Sequence, residues 1–123
     1  MGTVRNYTDL IVWQKAHQLT LEIYSATKMF PRDEKFGLTQ QVRRSVASVA
    51  TNIAEGFGRS SRNEFVRFLH ISRGSLLETD YHLRLSLDLE YLSFASYKNL
   101  KALIIETGKM LNGLIKSLKS TNH

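Results

Sequence analysis

Helix breakers are almost missing from this chain, and that scarcity bounds its fold more tightly than any other feature. One proline, Pro31, and seven glycines punctuate 123 residues. So few interruptions over this length favour long helices. The apolar residues agree. Between about residues 10 and 30, Val12, Ala16, Leu19, Ile23, Ala26 and Phe30 recur at spacings of four and three, the stripe of an amphipathic helix. Thr8 or Asp9 is placed to cap its start. Phe30-Pro31 ends it, because the residue before proline is pushed out of helical geometry.

A second helix is expected over about 38–56, with Val42, Val46, Val49 and Ile53 as its stripe. Ser45, Ala47, Ser48, Ala50, Thr51 and Ala54 make it thin enough for a neighbouring backbone to come close. Gly56 and Gly58 are read as its flexible exit. A third, over about 61–90, opens on Ser61-Arg62-Asn63-Glu64, a capping-box pattern. Phe65, Leu69, Ser72, Leu76, Thr79 and Leu83 follow on one face, with Gly74 read as a site of close packing. The fourth, over about 96–118 with Ser96 as cap, carries Leu100, Ile104, Thr107, Leu111, Leu114 and Leu118. Four stripes joined by short loops predict an all-α, antiparallel up-and-down four-helix bundle occupying residues 1–123 as one domain. A chain of this size buries roughly two-thirds of its unfolded surface, enough for a core without staples.

One stretch resists a simple stripe. Leu83, Leu85, Leu87 and Leu89 alternate with polar residues, which is a strand signal, yet no other segment alternates to pair with it. Read as helix, Leu83 and Leu87 share one face, and Leu85 and Leu89 share another roughly 160° away at 100° per residue. A helix apolar on two sides needs two things to bury against. Leu85 and Leu89 are therefore assigned to an interface with another copy of the chain.

Several function classes drop out. The chain has no cysteine, which removes thiol chemistry, disulfides and Cys-type zinc sites. The histidines His17, His70, His82 and His123 form no His-Glu-x-x-His or paired Glu-x-x-His pattern, so no metal site is read. Phosphate loops, dinucleotide fingerprints and Gly-x-Ser-x-Gly are missing, and no cofactor is implied. The longest charge-free run, Ser45 to Ala54, is far short of the roughly 20 residues that span a bilayer. Without a signal-peptide pattern, the cytoplasm is the expected location.

Charge points the other way. The net charge is +6, and Tyr91 to His123 holds five lysines against one acid, Glu106. On the fourth helix Lys98, Lys109 and Lys116 fall within about 20° of each other, with Lys101 and Lys119 about 60° to one side. All five point away from the leucine stripe. Arg59 and Arg62 add a second basic group in the loop before the third helix. Such a surface suits a polyanion, since each cation that neutralises a phosphate releases counterions. Most rings are committed to the core; Trp13 and Tyr97 are the candidates for stacking. A solvated polar face is the plain alternative for the same lysines.

Phe30-Pro31, Glu34, Phe36-Gly37-Leu38, Gln41 and Arg43-Arg44 lead into Asn52-Ile53-Ala54-Glu55-Gly56, then Glu64-Phe65, Phe68-Leu69, Gly74-Ser75-Leu76 and Glu78. With Asp9-Leu10 and Trp13-Gln14-Lys15-Ala16 at the start, the chain resembles the bacterial four-helix-bundle family encoded in intervening sequences of 23S ribosomal RNA genes. The resemblance covers about residues 7–118. The leucine-rich alternation at 83–89 departs from that pattern. The resemblance implies a homopentameric ring without enzymatic activity. A related group, accessory proteins of diversity-generating retroelements, implies nucleic-acid and reverse-transcriptase partners. Its polar signature residues here are Arg44, Asn52, Glu55, Gly56 and Glu78. Asn52 and Glu55 are expected to satisfy backbone groups and to pair with Arg43, Arg44 or Arg59.

Two functions follow as expectations. One is a homo-oligomer binding RNA or DNA through Lys98, Lys101, Lys109, Lys116 and Lys119, helped by Arg59 and Arg62. The other is an interaction module docking onto a partner protein, such as a larger enzyme. An enzyme would need Asn52, Glu55 and Glu78 gathered in one pocket.

Overall fold

The computed structural model describes residues 3–120. Four helices run α1 Ile11–Ala26, α2 Leu38–Phe57, α3 Arg62–Asp88 and α4 Phe94–Ser120, and no strand occurs among the described residues. Each helix packs on the next, and α4 closes back onto α1. The register is antiparallel throughout. Thr20 meets Val46, Ser48 meets Ser75 and Ser45 meets Thr79, and Asp80 meets Lys101 while Arg73 meets Asn112.

The stripes read from the sequence form the core. Val12, Ala16, Leu19 and Ile23 of α1, Val42, Val46, Val49 and Ile53 of α2, Leu69, Leu76 and Leu83 of α3, and Leu100, Ile104 and Leu111 of α4 are all buried. In the last turns of α4, Ile115 is buried while Leu114 and Leu118 are half-buried. A heptad spacing drifts around a straight helix, so the stripe shifts by one residue over that length. Seven buried polar side chains accompany the core, and no buried side-chain nitrogen or oxygen among the described residues lacks a partner.

Helix ends differ from expectation in four places. α1 stops at Ala26 and tightens into a 3-10 turn, Thr27–Met29, before extended Phe30 and Pro31. Its start carries no side-chain cap; Asn6 and Asp9 instead cap a separate 3-10 turn, Tyr7–Asp9. α4 begins two residues before Ser96, whose N–H donates to Ser93 Oγ at 3.1 Å. At α3, Ser61 Oγ accepts from Glu64 N–H at 3.1 Å, but the Glu64 carboxylate pairs with Arg67.

Glu34 ties two loops together. Its Oε1 accepts from Leu38 N–H at 3.0 Å, capping α2, while Oε2 accepts from Tyr91 O–H at 2.9 Å. Those two hydrogen bonds hold its carboxyl below the usual carboxylate range. Tyr91 follows a Schellman turn. Glu90 N–H donates to Leu87 O and Tyr91 N–H to Ser86 O, with Glu90 at φ 64° where glycine is usual.

Two glycines read from sequence have other roles. Gly56 is inside α2 and buried, and a Cβ there would sit 2.7 Å from Phe68 Cβ and 2.9 Å from Phe65 Cδ1. It is a point where α3 packs too tightly on α2 to admit a side chain, not an exit. Gly74 faces open space, so it is not a packing glycine.

The alternating leucines are helical up to Asp88. Leu83 is buried, Leu85 is half-buried against the core of its own chain, and Leu89 caps the helix, 44% exposed. The face assigned to Leu85 and Leu89 is therefore not an unpartnered apolar stripe. Other exposed apolar side chains of α3 and α4 are Ile71, Leu77 (66%), Tyr81, Phe94 (64%) and Ile105.

Candidate nucleic-acid interface

The cations expected to act together divide by whether an acid neutralises them. Lys101 Nζ lies 2.8 and 2.9 Å from the Asp80 carboxylate oxygens across the α3–α4 seam. Arg59 pairs with Glu55 at 3.4 Å one turn away and lies over the Phe68 ring. Arg62 is exposed in the first turn of α3. Lys98, Lys109, Lys116 and Lys119 are exposed and take part in no ion pair among the described residues. Lys98 sits 5.5 Å from the Phe94 ring centre.

A further cation, not singled out by the sequence, joins this group. Arg73 of α3 donates to Asn112 Oδ1 at 2.8 Å and to His70 Nδ1 at 3.0 Å. Because arginine only donates, His70 Nδ1 is the acceptor and carries no proton. Burial, then the charges of Arg73 and Lys119, depress the His70 pKa. Arg73 is thus held by two neutral groups and has no carboxylate partner. Asn112 lies three residues after Lys109 and four before Lys116, so all three are on one helix face. The guanidinium therefore docks onto the lysine stripe. Two other α3 arginines, Arg67 and Arg84, are neutralised by Glu64 and Asp88 on their own helix. The sequence shows the spacing of His70 and Arg73 but not that α4 brings Asn112 opposite them.

The rings differ too. Trp13 is half-buried, stacked on His17 with centres 4.8 Å apart, and Tyr97 is half-buried. Phe94 is the exposed ring beside a stripe lysine.

The signature polar residues do not form one site. Asn52 Nδ2 donates to Ser48 O and Oγ at 2.9 and 3.0 Å. Glu55 pairs with Arg59, not with Arg44. Arg43 donates to Thr27 Oγ1 and Tyr24 O instead. Arg44 and Glu78 meet in a separate cleft of about 330 Å³ between α2 and α3, lined also by Gln41, Ser45, Ser48 and His82. There Ser45 Oγ lies 3.2 Å from His82 Nδ1 and accepts from Thr79 Oγ1 at 2.8 Å. Burial pushes the His82 pKa down, partly offset by Glu78. Asn52, Glu55 and Glu78 are not gathered, and no group of three or more His, Asp or Glu suited to a metal exists among the described residues. No helix of the described residues is long and apolar enough to cross a membrane.

The chain and its fold are similar to known proteins. Residues 8–113 match the model of the 23S rRNA-intervening sequence protein family. A crystal structure of a protein of unknown function from the S23 ribosomal protein family of Bacteroides thetaiotaomicron VPI-5482 superposes with a TM-score of 0.79. It is 27% identical, over 86% of this chain and 96% of that one. No curated protein matches the chain.

Proposed function

The chain belongs to the 23S rRNA-intervening sequence protein family, and we propose that it is a non-enzymatic, self-assembling bundle that binds RNA or DNA through phosphates on the outer side of α4. The observation that carries this reading is the row of α4 lysines left without acids, Lys98, Lys109, Lys116 and Lys119, with Arg73 docked among them at Asn112. From Lys98 to Lys119 the row is roughly 30 Å long at 1.5 Å per residue. Lys101 and Arg59 contribute less, because Asp80 and Glu55 already neutralise them. Phe94 beside Lys98 offers a surface for a base, as single-strand binders use.

Self-assembly is supported by the apolar side chains left in water at Leu77, Tyr81 and Ile105, with Leu77 and Tyr81 one turn apart on one face of α3. The five-membered ring is an expectation carried by the family resemblance. The cytoplasm remains the proposed location. The same apolar residues support a second reading, a docking platform for a partner protein.

The test is RNA affinity measured against salt concentration. Binding should weaken with a log–log slope of about −0.7 to −0.9 for each phosphate contacted. A slope near zero, or binding that ignores Lys109→Glu/Lys116→Glu/Lys119→Glu, would reject the phosphate reading. Light scattering addresses assembly: a monomer at all concentrations would reject it.

A further inference from the structure

We propose that the cleft between α2 and α3 is a binding site for a guanine base. Two observations carry this. First, the cleft is lined wholly by polar side chains, Gln41, Arg44, Ser45, Ser48, Glu78 and His82, within about 330 Å³, room for one base. Second, its three long side chains are unengaged. The exposed side chains of Gln41, Arg44 and Glu78 form no hydrogen bond or ion pair among the described residues, although a cation and an anion line the same space. The short side chains are, by contrast, fixed. Ser48 is bonded to Ser75 and Asn52, and Ser45 to Thr79 and His82. A rigid base of the cleft thus carries two opposite, uncommitted charges on opposing walls.

The ligand that suits this arrangement presents acceptors to one wall and donors to the other. Guanine does so along one continuous edge. Its O6 and N7 accept from an arginine or an amide, the commonest specific pairing made with this base. Its N1–H and N2–H₂ donate together to a carboxylate, which has two oxygens to receive them. Arg44 and Gln41 on α2 supply the first pair, and Glu78 on α3 the second. Adenine reverses the pattern at positions 6 and 1. It would set its amino group against Arg44 and leave Glu78 without a donor. Cytosine carries its donor and acceptors in the order opposite to guanine along its pairing edge, and uracil has a single ring donor where guanine offers two. This inference rests on the nucleic-acid reading for the source of the base, a guanine of the bound strand.

Free nucleosides test it without involving the phosphate-binding lysines. Guanosine titrated into the intact protein should shift the NMR signals of His82 and Ser48. Inosine, lacking the exocyclic amine, should bind at least tenfold more weakly, and adenosine and cytidine should give no saturable shift. Glu78→Gln puts a donor where an acceptor is needed and should abolish the guanosine response. Glu78 is exposed and holds nothing else, so the fold should be unchanged, as amide chemical shifts would report. Guanosine binding should persist in Lys109→Glu/Lys116→Glu. No shift with guanosine, or equal shifts with all four nucleosides, overturns the base site while leaving the phosphate reading standing. Guanosine binding unaltered by Glu78→Gln also overturns it.

Discussion

The seam between α2 and α3 and the outer side of α4 are both rich in polar residues, yet they use them in opposite ways. In the seam, Ser45, Ser48, Ser72, Ser75 and Thr79 bond across to the facing helix or to one another, and Gly56 removes the last side chain that would hold the backbones apart. On α4, Lys109, Lys116 and Lys119 touch no acid among the described residues. Polar groups in the first region specify how two helices meet. Those in the second are not needed by the fold and remain available to a partner.

Substitutions can break this contrast, and the largest effect belongs to the seam. Gly56→Leu forces bulk against Phe65 and Phe68 and should cost about 3 kcal/mol, at the upper end for overpacking, read as a shifted urea midpoint. Thr79→Val keeps the shape but removes the hydroxyl bonded to Ser45 and to Ser75 O. About 1 kcal/mol should be lost, the worth of such a bond. Gly74 offers the reverse case, the same residue type on an open face. Gly74→Ala should gain up to about 1 kcal/mol in melting experiments.

Acid probes the seam differently. His82 is held neutral because burial depresses its pKa below 6.5. The unfolded chain therefore binds a proton that the folded chain refuses, and stability must fall as pH drops below about 6.5 toward the folded value. Glu34 acts in the same direction at lower pH, because its carboxyl is depressed by Leu38 and Tyr91. His82→Gln should reduce the slope of the upper part of the melting-temperature profile, the remainder of which belongs to His70, and leave the lower part in place. The smallest effect is expected on α4. Lys109→Glu with Lys116→Glu should change stability by no more than about 0.5 kcal/mol, as at ordinary surface sites.

Much of this was legible in the sequence. Periodicity located all four helices, and the buried residues of α2 include the four valine and isoleucine positions read from spacing, with Leu38 and small residues beside them. Ends were harder. Ser93 rather than Ser96 caps α4, and Asp9 caps a turn that precedes α1, because several short polar residues near an end can each accept a backbone N–H. That Leu85 is half-buried against the core of its own chain was not visible on a helical wheel. For function, the lysine stripe was visible, but its strength was not. Asp80 lies twenty-one residues from Lys101, and Asn112 thirty-nine from Arg73, so the neutralised and the unneutralised cations could be told apart only once α3 lay against α4. The cleft residues Arg44 and Glu78 were noted singly, and only the pairing of α2 with α3 joins them.

The most direct measurement takes the wild type and Lys109→Glu/Lys116→Glu/Lys119→Glu side by side, following RNA affinity and melting temperature in the same buffer. The account predicts at least a hundredfold loss of affinity, about 2.7 kcal/mol, with a shallower salt dependence and a melting temperature within a few degrees of wild type. Equal affinities for the two proteins, or a variant that fails to fold, would contradict it.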